Sequence, residues 1–162
     1  MLTISENITI KAEINKIWAF LTDFSISLNY NRFHTNLELP SNYSISKMKK
    51  FNINHNFGFG NYNMVAEVTE CIPPNRLCLS EYCIDDKKKG FSHSIEFQIE
   101  PSFEKSKICY TVTGTYGGKI QDMSFKPILK GVMIEELLKI KNAIESSEKT
   151  SKSIISESIK PI

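Results

Sequence analysis

Two histidines stand where chemistry is possible. His55 recurs at a spacing of two with Phe51, Ile53 and Phe57, and His93 does the same with Phe91, Ile95 and Phe97. The positions between them are Asn52, Asn54 and Asn56 in the first run and Ser92, Ser94, Glu96 and Gln98 in the second. A period of two is a strand with one buried face, which puts each imidazole on the apolar side. A neutral imidazole there can orient a ligand hydroxyl or carbonyl, or take and return a proton. A histidine satisfied inside a packed core leaves the same trace, so both readings stand for His55 and His93. His34 falls in a loop beside a helical segment. Three histidines this far apart lack the spacing of metal ligands, and neither a metal nor a cofactor is expected.

Other polar groups are weaker candidates. Tyr62, Tyr110 and Tyr116 share parity with apolar neighbours and can turn phenol hydroxyls inward, although packing explains them equally well. Glu70 and Glu81 fall near strand ends and are read as solvated. Gly58 and Gly60 do not make a nucleotide loop, since there is no G-x-G-x-x-G and no G-K-[ST]. There is no G-x-S-x-G, and none of the four cysteines carries a catalytic signature. The run Lys87–Lys89 is read as a solvated turn tip.

Composition narrows the classes. The chain has 162 residues, with 20 Lys+Arg against 18 Asp+Glu, a formal net charge of +2. That balance does not advertise nucleic acid or an anionic membrane as a partner. No segment approaches the roughly 18 consecutive apolar residues that span a bilayer. The opening MLTISENITI has no basic n-region followed by an apolar run, and Cys71, Cys78, Cys83 and Cys109 suit a reduced compartment, so a cytoplasmic location is expected.

The elements that must position these residues follow from periodicity. Residues 2–12 alternate as a strand, and Ile14, Ile17, Trp18 and Leu21 then recur at helical spacing, with Asn15 as a candidate N-cap. Trp18 is read as the anchor of this helix on the sheet. A second short helical piece is expected over Ile26–Asn31 and an irregular or edge segment over 36–46. Strands follow around 51–57, 62–69, 76–84, 91–99 and 108–116, joined by short turns, which implies an antiparallel meander. Ile128, Leu129, Val132, Met133, Leu137, Ile140 and Ile144 recur at spacings of three and four, a closing amphipathic helix with Pro127 in its first turn. Gly131 inside that helix either permits a close backbone approach or leaves room for something else. Residues 1–147 are read as one domain and 148–162 as a polar, flexible tail.

In this order the elements resemble the helix-grip fold of the SRPBCC superfamily, which includes START, birch-pollen-allergen-like and polyketide cyclase-like proteins. The echoes are Ile8-Thr9-Ile10-Lys11-Ala12 leading into Ile17-Trp18-Ala19-Phe20-Leu21-Thr22-Asp23-Phe24, the stretch Val68-Thr69-Glu70-Cys71-Ile72-Pro73-Pro74-Asn75-Arg76-Leu77, the segment Glu96–Pro101, the strand Cys109–Gly114 and the final helix. The expected class is α+β, a curved antiparallel sheet wrapped around a long C-terminal helix, with one or two short helices after the first strand. The resemblance implies a deep cavity between sheet and helix that takes a lipid, a polyketide or another apolar molecule.

Strand parity then nominates the lining: Phe51, Ile53, His55, Phe57, Tyr62, Met64, Phe91, His93, Ile95, Phe97, Tyr110, Val112 and Tyr116, with Met133 and Leu137 from the helix. Three functions follow by analogy with the fold. The first is a non-enzymatic carrier or sensor of a small apolar ligand. The second is a polyketide cyclase- or dehydratase-like enzyme with His55 or His93 as general acid or base. The third is an interaction module like the chaperone-activating members, with a filled interior and an exposed patch. Nothing in the sequence sets the oligomeric state.

Overall fold

The computed structural model describes residues 1–41, 43–45, 49–58, 60–84, 86 and 90–158, with side chains through 147. The chain runs β1 (Leu2–Ile10), α1 (Ile14–Thr22), α2 (Phe24–Ser27), a 3₁₀ turn (Leu28–Tyr30), β2 (His34–Glu38), β3 (Lys50–Asn56), β4 (Asn61–Ile72), β5 (Arg76–Cys83), β6 (Ser92–Ser102), β7 (Lys105–Thr115) and α3 (Lys119–Ser158). The seven strands form one sheet in the order β1-β7-β6-β5-β4-β3-β2, and neighbours pair antiparallel. This is the expected α+β helix-grip arrangement.

Alternation decides what faces α3. On β3, Phe51, Ile53 and His55 point inward, and on β5 Leu77, Leu79, Glu81 and Cys83 do. On β6, Ile95, Phe97 and Ile99 are buried, and on β7 Ile108, Tyr110, Val112 and Gly114 are. The helix answers with Phe125, Leu129, Val132, Met133, Leu137, Ile140 and Ile144, a stripe at the helical period. Trp18, half-buried, packs against this core from α1.

Several local expectations shift. The residue before α1 is Glu13, not Asn15, and its side chain makes no capping bond. α3 begins at Lys119 rather than at Pro127, so Pro127 lies inside the helix. Asp122 accounts for the early start: its carboxylate accepts hydrogen bonds from the Tyr116 backbone N–H at 2.7 Å and from the Thr115 hydroxyl at 3.0 Å, tying the end of β7 to the first turn. Such charge-assisted bonds are among the stronger ones. The backbone of α3 continues to Ser158, while the side chains of 148–158, residues 159–162 and the turn tip Lys87–Lys89 lie outside the described residues.

Gly131 permits no close approach, since a Cβ built there meets no atom within 4 Å. It is an exposed helical glycine whose main effect is the backbone freedom it gives the unfolded chain. Gly131→Ala is therefore expected to stabilise the fold by about 1 kcal/mol, read as a higher urea midpoint with an unchanged slope.

Candidate functional site

The interior holds a polar cluster that the sequence divides among four strands. β5 and β6 pair Glu81 with His93, and β2 and β3 pair His34 with His55. Strand curvature brings the two pairs together under α3. His55 Nε2 lies 3.0 Å from one Glu81 carboxylate oxygen, and His93 Nε2 lies 3.3 Å from the same oxygen. The rings of His34 and His55 are 4.6 Å apart between centroids. Glu81 is 1% exposed, which overturns its reading as solvated. Glu70, by contrast, sits half-exposed beside Arg76. His34 is no loop histidine: a register shift between His34 and Asn36 turns it inward from the edge strand.

Hydrogen bonds fix what these rings present. His34 Nδ1 lies 2.6 Å from the Leu28 carbonyl oxygen, and His93 Nδ1 lies 2.7 Å from that of Phe91. A carbonyl only accepts, so each Nδ1 carries hydrogen and donates. Burial, reinforced by the neighbouring His55, holds His34 down at about 4, and burial also lowers His93. With Nδ1 committed to a carbonyl, each ring turns its Nε2 away from that carbonyl, and that of His93 faces Glu81. Burial pushes the Glu81 carboxyl up, but His55 first, then His93 and His34, outweigh it and hold Glu81 at about 2. The contacts are close yet off-axis: both ring nitrogens of His55, His34 Nε2 and both Glu81 oxygens have no aligned hydrogen-bond partner.

A second buried carboxyl stands close by. Glu136, on the inward stripe of α3, accepts hydrogen bonds from the Tyr110 hydroxyl at 3.1 Å and from the Asn31 amide at 2.9 Å. Burial raises it to about 8, and the charge of Glu81 acts in the same direction. The interior thus keeps one carboxyl ionised and the other protonated, the usual outcome when environments push two acids apart.

The expected lining residues divide into groups. Phe51, Ile53, Phe57, Met64, Phe91, Ile95, Phe97, Val112, Met133 and Leu137 are all buried in the core. Phe97 stacks on Tyr110 with centroids 4.5 Å apart. The space that the resemblance reads as a deep cavity is occupied by side chains at this level. The void bounded by Leu21, Phe24, Leu77, Phe97, Glu136 and Ile140 among others is about 10 Å³, roughly a single water. Larger hollows of about 670 and 600 Å³ lie on the surface beside Lys11–Lys16 and Phe103–Lys105 and across Lys50, Glu67, Ser80 and Thr113, whereas the apolar one lies at the end of the sheet. There a groove of about 470 Å³ runs between Tyr62 and Tyr116 on one side and Ile120, Gln121, Ser124, Phe125 and Ile128 of α3 on the other. Its floor residues Tyr116 and Phe125 pack against Phe57 and Phe91. Phe57 in turn meets the His55 ring at 4.9 Å, and Phe91 meets His93 at 4.8 Å. One layer of rings therefore separates the groove from the histidine cluster.

Sequence reasoning missed Glu136 and Asn31 and misplaced Glu81 and His34. Glu136 had a signal, because it falls three residues after Met133 and four before Ile140 on the inward stripe. Asn31 had none.

No protein-family model and no curated protein matches the sequence. Solved structures match in fold. A conserved protein from Geobacillus kaustophilus superposes with a TM-score of 0.71 at 20% identity, covering 90% of this chain and 97% of that one. A protein from Chromobacterium violaceum gives 0.68 at 11% identity, covering 88% and 96%. DynU16, described as a putative protein in the dynemicin biosynthetic locus, gives 0.65 at 14% identity, covering 90% of this chain and 48% of that one. At these identities the likeness establishes the architecture and nothing finer.

Proposed function

We propose that this protein binds a small apolar molecule in the groove between the sheet end and the first turns of α3. One observation carries the reading: the groove is apolar and about 470 Å³, within the roughly 300–1,000 Å³ typical of ligand sites. Ile120, 78% exposed, and Ile128, 44% exposed, leave apolar surface along its rim. Covering such surface drives binding at about 25 cal/mol per Å², while Gln121, Ser124 and Tyr62 supply the few polar groups that orient a guest. The helix-grip arrangement is compatible with a ligand of this class.

The test uses an environment-sensitive apolar fluorophore such as anilinonaphthalene sulfonate. Ser124→Trp, which fills the groove, and Ile120→Asp, which charges its rim, are expected to weaken binding at least about tenfold while leaving the melting temperature nearly unchanged, as exposed positions usually do. Binding that is indifferent to both variants places the guest elsewhere and overturns the reading. A second reading, an interaction module, draws on the filled interior and on Ile134 and Leu138, also exposed on α3. It predicts that Leu138→Asp, outside the groove, removes a protein partner without changing fluorophore affinity. The cyclase-like enzyme reading draws on the histidine–carboxylate contacts under the ring layer. It requires Phe57 or Phe91 to move before a substrate meets His55 or His93.

A further inference from the structure

We infer that His34, His55, His93 and Glu81 hold one transition-metal dication of the zinc class, in a closed site that ties β2, β3, β5 and β6 together. Three observations converge. First, the donor atoms are gathered. One ligand atom from each of His34, His55 and Glu81 lie within 4.8 Å of one another, and His93 Nε2 is 3.3 Å from Glu81. Ligands at 2.0–2.1 Å around a tetrahedral ion sit about 3.3 Å apart. The His93–Glu81 and His55–Glu81 edges, at 3.3 and 3.0 Å, already have nearly that length.

Second, the hydrogen-bond pattern of His34 and His93 is that of ligating imidazoles. A metal-bound histidine donates its other ring N–H to a carbonyl or carboxylate, which fixes the tautomer. His34 does so to Leu28 and His93 to Phe91. Each leaves Nε2 as the ring atom free to ligate, and that of His93 lies 3.3 Å from the Glu81 carboxylate. Third, buried polar atoms of the cluster stand without a hydrogen-bond partner among the described residues: His34 Nε2, both ring nitrogens of His55 and both Glu81 oxygens. Glu81 is 1% exposed and its ion-pair partners are the histidines themselves. Buried polar atoms left unpartnered are costly, and an ion bound between them satisfies them together. A single proton satisfies one edge, whereas a dication satisfies all four ligands. Three imidazoles and one carboxylate select zinc-like ions over calcium or magnesium, which prefer all-oxygen shells. With four protein ligands and the rings of Phe57 and Phe91 above, the site is structural in type.

The test uses the full-length wild-type chain, stripped with a chelator and dialysed. Zn²⁺ is expected to rebind at one equivalent per chain and to raise the melting temperature by several degrees, because an ion that binds only the folded state stabilises it. Co²⁺ in its place is expected to give the intense visible bands of a four-coordinate ion, lost when Zn²⁺ is added. His34→Gln and His93→Gln should each weaken metal binding at least about tenfold, and the double variant should abolish it while retaining its far-ultraviolet circular dichroism. A wild-type chain that shows neither the Co²⁺ bands nor a Zn²⁺-dependent melting shift overturns the proposal without recourse to any variant. So does undiminished binding by the folded double variant. Neither readout involves the groove, so the outcome is independent of fluorophore binding.

Discussion

Gly114→Ala is expected to lower the melting temperature by roughly 6–12 °C, the equivalent of about 3 kcal/mol in a chain of this size. Gly114 lies in β7, paired with Leu2 on one side and His93 on the other. A Cβ at this position would stand 2.5 Å from the His93 Cβ, 2.7 Å from the Ser92 carbonyl oxygen and 2.8 Å from the Phe91 ring tip. None of these can yield cheaply. The Ser92 oxygen and His93 Cβ belong to the neighbouring strand, where β6 pairs with β7. Phe91 is fully buried, stacked on His93 at 4.8 Å and on Tyr116 at 5.4 Å, with Phe125 edge-on at 5.1 Å. Overpacking a tight core costs about 1–3 kcal/mol, and more where backbone must shift. The same replacement at Gly131 meets nothing and is expected to act in the opposite direction, so the pair separates crowding from helix propensity. Thermal melts of both variants check this. A Gly114→Ala melting temperature within about 2 °C of wild type would mean that the β6–β7 spacing has slack the packing denies.

Crowding of this kind is not legible in the sequence, whereas periodicity is. The sheet was legible because alternation is local: Phe51, Ile53, His55 and Phe57 declare their side of β3 without reference to any partner. The closing helix was legible for the same reason, through the stripe from Leu129 to Ile144. The histidine cluster was only half legible. Parity placed His55 and His93 inward, but that they share Glu81 depends on sheet curvature, which no period encodes. Glu81 shares the inward parity of Leu77 and Leu79, but a carboxylate is usually solvated, so its type argues against its position. His34 was hidden by the register shift before Asn36, which leaves His34 and Leu37 on one side at an odd spacing. The filled interior was beyond reach, since parity says which side chains face inward and nothing about whether space remains between them.

Glu136→Gln should make the protein more stable than wild type at pH 8, by an amount on the order of a few kcal/mol, and nearly indistinguishable from it at pH 4.5. In the folded chain Glu136 titrates at about 8, against an ordinary value of 4.5, because it is buried on the inward stripe of α3. Between those values the folded state holds a proton that the unfolded chain releases. Stability therefore falls as pH rises through this window, by about 1.4 kcal/mol per pH unit for one full proton. Glutamine keeps the shape and an oxygen to accept from Tyr110 and Asn31, but has no proton to lose. The other groups facing Glu136 leave the comparison clean. Tyr110 is pushed well above its ordinary range by burial and then by Glu136 itself, so it stays a hydroxyl donor. Glu81, at about 2, is ionised throughout. His34 acts in the opposite sense between about 4 and 6.5, where the unfolded chain binds the proton and the folded one does not. It does so equally in both chains, so the difference between variant and wild type isolates Glu136. Urea unfolding at pH 4.5 and pH 8 supplies that difference. Parallel pH profiles would mean that Glu136 is ionised in the folded state, with water reaching it through the small void beside Phe97 and Ile140.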